Sequence, residues 1–126
     1  MKSIIYTEDA PAPIGPYSQA VLTGNMLFLS GQIPIDPITN ELVNGGVREE
    51  AEQVMKNLNS LLNKAGFLFE HVVKSTIFLS DMSHFNEVNE VYGSYFKSDF
   101  PARETVAVKG LPKNVHVEIS MIAIKS

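Results

Sequence analysis

Cysteine is absent from the chain. That excludes disulfides, thiolate metal sites and a Cys nucleophile. No apolar run reaches the ~18 residues that a membrane-spanning helix needs. The first residues, MKSIIYTEDAPAP, turn acidic and proline-rich too early for a secretory leader, so the cytoplasm is the expected location. Basic charge is also scarce. Ten Lys and Arg stand against fourteen Asp and Glu, for a net charge of −4. The longest basic-leaning piece, VKGLPKN, holds only Lys109 and Lys113. This argues against a sequence-independent grip on nucleic acid, which needs clustered Lys and Arg.

Several chemistries lack their motifs. GPYSQ, SGQIP and NGGVR do not match a phosphate cradle. His71, His84 and His116 show no metal-ligand spacing, so neither a metal nor a cofactor is expected. Ser30 has no His or Lys beside it in a nucleophile motif. Tyr17 and Tyr92 read as core residues with a wet hydroxyl.

The 126 residues suit one domain over 1–126, and 44% hydrophobic against 19% charged residues suits a folded chain. Residues 3–6 read as a short strand, followed by a proline-rich loop. YSQAVLTGNMLFLSG reads as a hairpin turning at Thr23-Gly24-Asn25, and 32–46 as a surface loop. In 47–65, Val47, Ala51, Val54, Met55, Leu58, Leu61, Leu62 and Ala65 recur every three or four residues. This is an amphipathic helix, with Gly66 suited to end it. HVVKSTIFLSDM reads as a central strand, with Val73, Ile77 and Leu79 on one face and Val72 and Phe78 on the other. Ser83 then caps a second helix through Phe85–Phe96, stopped near Pro101. Strands at 104–109 and 115–124 flank the short GLPKN loop and read as antiparallel neighbours.

The order β-β-β-α-β-α-β-β is an α+β pattern: one mixed six-stranded sheet with two helices on one face. The strands carry apolar residues on both faces. A bare sheet face costs about 25 cal/mol per Å² of wet apolar surface, so the second face is expected to pack on copies of the chain.

Two side chains invite a chemical reading. Arg103 sits between Pro101 and a strand. It is either a solvated or ion-paired charge, or a planar fork placed for a carboxylate. Glu118 lies among apolar neighbours in VHVEISM. It is either a solvated edge residue, or a partly buried acid able to move protons. A regular hairpin centred near Pro112 would face Glu118 with Val106. Arg103 would then lie roughly 10 Å away and on the opposite face. A bulge, a slip or a seam between subunits could bring the two together.

IGPYSQA (14–20), LFLSGQIP (27–34), FNEVNEVYGSYF (85–96), PAR (101–103) and LPKNVHVEI (111–119) resemble the reactive-intermediate deaminase (RidA, or YjgF-like) family. The resemblance runs in order over essentially the whole chain. It implies a chorismate-mutase-like α+β fold, assembled as a homotrimer around a central β-barrel with ligand clefts between subunits. It also implies hydrolysis of reactive 2-imino acids and their enamine tautomers, such as 2-iminobutanoate and 2-iminopropanoate, to 2-oxo acids and ammonia. In that setting Arg103 clamps the substrate carboxylate and Glu118 positions or activates water. Tyr17, Ser30, Gly31 and Asn89 match cleft positions. Where the family often has Cys, this chain has Thr105, whose backbone N–H can still face a carboxylate. Its neighbour Glu104 departs from the usual small residue, and strand alternation points it away from Arg103. An alternative reading is a trimer that binds 2-oxo acids or a protein partner without turnover.

Overall fold

The computed structural model describes all 126 residues. The strands are β1 (Lys2–Ile5), β2 (Ala20–Thr23), β3 (Met26–Gln32), β4 (Ile35–Asp36), β5 (Glu41–Leu42), β6 (Val72–Leu79), β7 (Ala102–Ala107) and β8 (Val117–Ile124), and the helices are α1 (Val47–Lys64) and α2 (Phe85–Gly93). Six strands form one sheet in the order β1-β2-β3-β8-β6-β7, while β4 and β5 pair separately. No helix is long and apolar enough to cross a membrane.

The sheet order explains why both helices share a face. From β3 through α1 to β6, and from β6 through α2 to β7, the chain steps the same way along the sheet into a parallel strand. Such crossovers are right-handed almost without exception, so two steps in one direction put both helices on the same side. Their apolar stripes close over Leu27, Leu29, Ile77, Leu79, Val117, Ile119 and Met121 in a single cluster of 22 buried residues.

Local chemistry sets the boundaries. Gly24 takes φ 57° between paired Thr23 and Met26, as a tight hairpin requires at its first central position. Gly66, at φ 83°, ends α1. Its N–H donates to Asn63 O, and that of Phe67 donates to Leu62 O at 2.8 Å, which satisfies the last carbonyls.

The structure corrects several expectations. The strands 104–109 and 115–124 are not neighbours, because β7 pairs with β6 in parallel and β8 lies between β3 and β6. The turn before α2 is capped by Asp81, whose carboxylate accepts from the Ser83 N–H at 2.8 Å, so Ser83 is the capped residue. The helix ends at Gly93, and Tyr95 and Phe96 follow in tighter i→i+3 turns. The expected 32–46 loop contains the β4–β5 pair, with Ile35 buried and the Asn57 amide donating to its carbonyl at 3.0 Å. A bulge between Val72 and Lys74 reverses the faces at the start of β6, which buries Val72 and leaves Val73 43% exposed.

Gln19, given no role by its sequence setting, fixes the proline-rich loop. Its carbonyl accepts from Thr7 N at 2.8 Å, and its amide donates to the carbonyls of Thr7, Ala10 and Pro11 at 3.0, 3.2 and 2.9 Å. The residue is 1% exposed, so no water can replace these bonds. Gln19→Leu should cost about 1–3 kcal/mol by orphaning buried backbone groups. Urea unfolding measures this, and an unchanged midpoint would show that the loop is held some other way.

Candidate functional site

Glu118 stands on the sheet face opposite the helices, because its neighbours Val117 and Ile119 point into the core. The adjoining strand is distorted beside it. Leu29 pairs with Met121 but Gln32 pairs with Ile119, so β3 bulges at Ser30–Gly31. Gly31 backs directly onto the acid. A Cβ on Gly31 would lie 2.8 Å from the Glu118 Cδ and collide with its carboxylate. Glycine is therefore needed for close approach. Ser30 secures the bulge, its hydroxyl donating to Ser18 O at 2.6 Å and its N–H to Gln19 O at 3.0 Å. A hydroxyl so engaged is not an exposed nucleophile.

Ile14, Tyr17, Ser30, Gly31, Pro112 and Glu118 line a crevice of about 360 Å³. Tyr17 is 51% exposed, so it is a wall and not the core residue expected. Burial raises the Glu118 carboxyl above the usual Glu range. No cation of the same chain offsets that burial, since the ion pairs are Arg48–Glu90, Lys74–Glu104 and His116–Glu50.

Arg103 stands on edge strand β7, paired with Ser75 of β6 on the helix side. Its Nη1 donates to Asn89 Oδ1 at 2.7 Å. The guanidinium carbon lies 5.2 Å from the Tyr92 ring centroid and 5.7 Å from that of Phe85. One hydrogen bond and two rings thus orient the group without neutralising it. Tyr92 is buried and its hydroxyl donates to Ser75 Oγ at 2.9 Å, so that hydroxyl is not wet as expected. Asn89, Tyr92, Phe100, Pro101 and Arg103 border a second crevice of about 330 Å³. Glu104 faces the other way and pairs with Lys74 at 3.1 Å. Thr105 returns to the side of Arg103, and its Oγ1 is the one buried side-chain polar atom without a hydrogen-bond partner.

The seven site residues expected from the sequence therefore fall into two groups. Tyr17, Ser30 and Gly31 gather with Glu118, while Asn89 and Thr105 share the side of Arg103. Within one chain the groups do not meet. Glu118 pairs with Phe78 on one face of β6, and Arg103 with Ser75 on the other. The hairpin geometry expected between them does not exist, and the opposite faces arise from the intervening strand. Pro112 and Phe85 also belong to these surroundings, and no sequence signal singled them out. The histidines are engaged elsewhere: His116 Nδ1 meets Glu50 at 2.6 Å, and His71 Nδ1 accepts from Leu68 N. No three His, Asp or Glu side chains gather in a metal-binding arrangement.

The family model Endoribonuclease L-PSP matches residues 7–125. The chain belongs to this family. It is the RidA/YjgF family of the resemblance. A human protein named 2-iminobutanoate/2-iminopropanoate deaminase is 50% identical over 125 residues, covering 99% of this chain and 91% of its own. A RutC family protein of Pyrococcus horikoshii is also 50% identical, with 99% of each chain covered. The crystal structure of a Rid family protein from Yersinia pestis superposes with a TM-score of 0.96 at 45% identity, covering 99% of this chain and 100% of its own. The chorismate-mutase-like α+β arrangement expected of a RidA chain, six strands with two helices on one face, is thus the observed one.

Two outcomes follow for the Glu118 side. Gly31→Ala should expel the carboxylate into solvent and return its titration to the ordinary Glu range, as carboxyl-carbon NMR would show. Glu118→Gln should raise the melting temperature at neutral pH. A raised folded pKa means that stability is intact below the unfolded value and falls as pH rises through the folded one. The advantage of Gln should therefore vanish on acidification below the ordinary Glu range. A pH-independent difference would rule out the buried charge as its cause.

Proposed function

We propose that this protein is a hydrolytic deaminase of small 2-imino acids and their enamine tautomers, acting as a homotrimer with its sites at the seams between chains. The observation that carries this reading is the division of labour in one chain. A guanidinium held by Asn89 and two rings has no acid partner, and a carboxylate of raised pKa has no basic partner. They lie on opposite faces of one sheet. Two chains packed side by side can present one group each to a common ligand. The open sheet face supports such assembly, with Ile4, Phe28, Val106 and Ile124 each at least 38% exposed on it. The activity in the name of the human relative, half identical over nearly the full chain, is the same chemistry.

The residue types suit that chemistry. Arg103 binds the substrate carboxylate through a charge-assisted fork, with Thr105 on the same side. The imine carbon is already electrophilic, so orientation and proton transfer suffice. Glu118 takes a proton from water as the oxygen attacks the C=N carbon. It returns the proton to nitrogen, and the carbinolamine collapses to the 2-oxo acid and ammonia. Burial within its own chain raises the Glu118 carboxyl toward working pH, which suits both roles. A binding trimer without turnover has two grounds, an acid beside the clamp and the lack of a strong nucleophile motif. Glu104 faces away and is paired, which weakens the first, and hydrolysis of an imine needs no covalent nucleophile, which weakens the second. RNA cleavage has less support, because a net charge of −4 without a basic stripe gives phosphates no footing.

The test generates 2-iminobutanoate with a threonine dehydratase and follows release of the 2-oxo acid. The protein should accelerate it, and Arg103→Ala should abolish the effect. Saturable 2-oxo acid binding without acceleration would favour the non-catalytic trimer. Mixing isolates the seam: Arg103→Ala and Glu118→Gln chains, each inactive alone, should recover about a quarter of wild-type activity after subunit exchange in a three-fold ring. No recovery, or gel filtration at the 13.9 kDa chain mass, would remove the shared site.

A further inference from the structure

A cavity of about 530 Å³ lies where the segment after α1 meets the turns after α2, beside the Arg103 crevice, with the Phe96 ring 4.9 Å from that of Tyr92. Half of its lining is apolar, and three of those residues are aromatic. The Phe69 ring meets Tyr95 at 5.3 Å between centroids and Phe96 at 5.5 Å. All three rings are half-buried, so part of each remains uncovered. Glu70 and Asp99 stand at the rim, and Lys97 is the one basic side chain there. None of the chain's ion pairs engages either carboxylate. The Tyr95 hydroxyl donates to Glu52 Oε1 at 2.8 Å, which places a third carboxylate against that ring. Burial, with this carboxylate, pushes the phenol up to about 12, so it stays a neutral donor with an electron-rich ring.

The chain's own cations leave these rings alone. Arg103 lies over Phe85 and Tyr92, and Lys125 over Phe67. We propose that the cavity binds a small organic cation, an alkyl or quaternary ammonium, among Phe69, Tyr95 and Phe96 with Glu70 and Asp99 at the rim. Ring quadrupoles attract such a cation, and its apolar surface matches the walls. An anion would meet two unpaired carboxylates. A neutral apolar guest would desolvate them without compensation. A bare metal ion finds no suitable set of ligands.

The test titrates choline into the full chain and follows the aromatic signals of Phe69 and Tyr95 by NMR. Sodium chloride at equal ionic strength and the neutral isostere dimethylbutanol serve as comparisons. Saturable shifts are expected with choline, and binding about threefold to tenfold weaker with dimethylbutanol. The double variant Glu70→Gln/Asp99→Asn alters only exposed side chains, so it should fold normally and weaken choline by a similar factor, while Lys97→Ala should strengthen it. Equal binding of choline and dimethylbutanol would overturn the proposal by showing an apolar pocket. Shifts that sodium chloride reproduces, no saturation, or indifference to the double variant would each overturn it as well.

Discussion

The structure rests on the placement of β8 between β3 and β6. This last strand pairs with both neighbours, and its inward residues Val117, Ile119, Met121 and Ala123 fill the middle of the core. Nearly every partner is far away in sequence, so the sheet cannot close until the C-terminal segment arrives. The same placement fixes the chemistry. Once Val117 and Ile119 face the helices, alternation sends Glu118 to the other face and toward the β3 bulge. A slip of one residue would bury the carboxylate under α1 and expose the core side chains, which makes the register hard to change.

Most elements were legible because their causes are local. The stripe from Val47 to Leu62, the Gly66 stop and the Gly24 turn each announce themselves within a few residues. What failed was pairing. Only a short loop separates 104–109 from 115–124, and short loops favour hairpins. Here the loop instead carries β8 past β6, with Lys113 and Asn114 both in the left-handed region at φ 56° and 58°. The interior position of β8 depends on both of its faces competing for distant partners, and no window of sequence holds that information. The reversal at Val72 and Val73 has a similar origin, because a bulge depends on the partner strand. Gln19 was missed since a buried amide looks like any polar residue until its four loop partners surround it.

The candidate site divides along the same line. The identities of Arg103 and Glu118 were suggested by residue type and setting, and the cleft residues around them by family resemblance. Their separation onto two faces needed the strand order. Tyr92 reads as a core residue and Phe85 only as the start of the second helix, yet both also cradle the guanidinium. One apolar stripe thus serves packing along α2 and orientation at its edge.

Keeping Arg103 and Glu118 apart within the chain has a physical consequence. On one face, at close range, they would form an ion pair. The arginine fork would then be filled, and the carboxylate would drop to a low pKa, useless for returning a proton to nitrogen. The sheet prevents this by putting β6 between them and a helix layer on only one side. Instead Arg103 is steadied by an uncharged amide and two rings, and Glu118 by the bare backbone of Gly31. Each group keeps its charge capacity unspent in the isolated chain. A ligand with its own carboxylate can then occupy the fork while the acid remains free to work on the adjoining carbon. In the proposed assembly the two groups would share one crevice, with room for an anion between them. That arrangement would suit a short molecule with a carboxylate at one end and a reactive centre beside it.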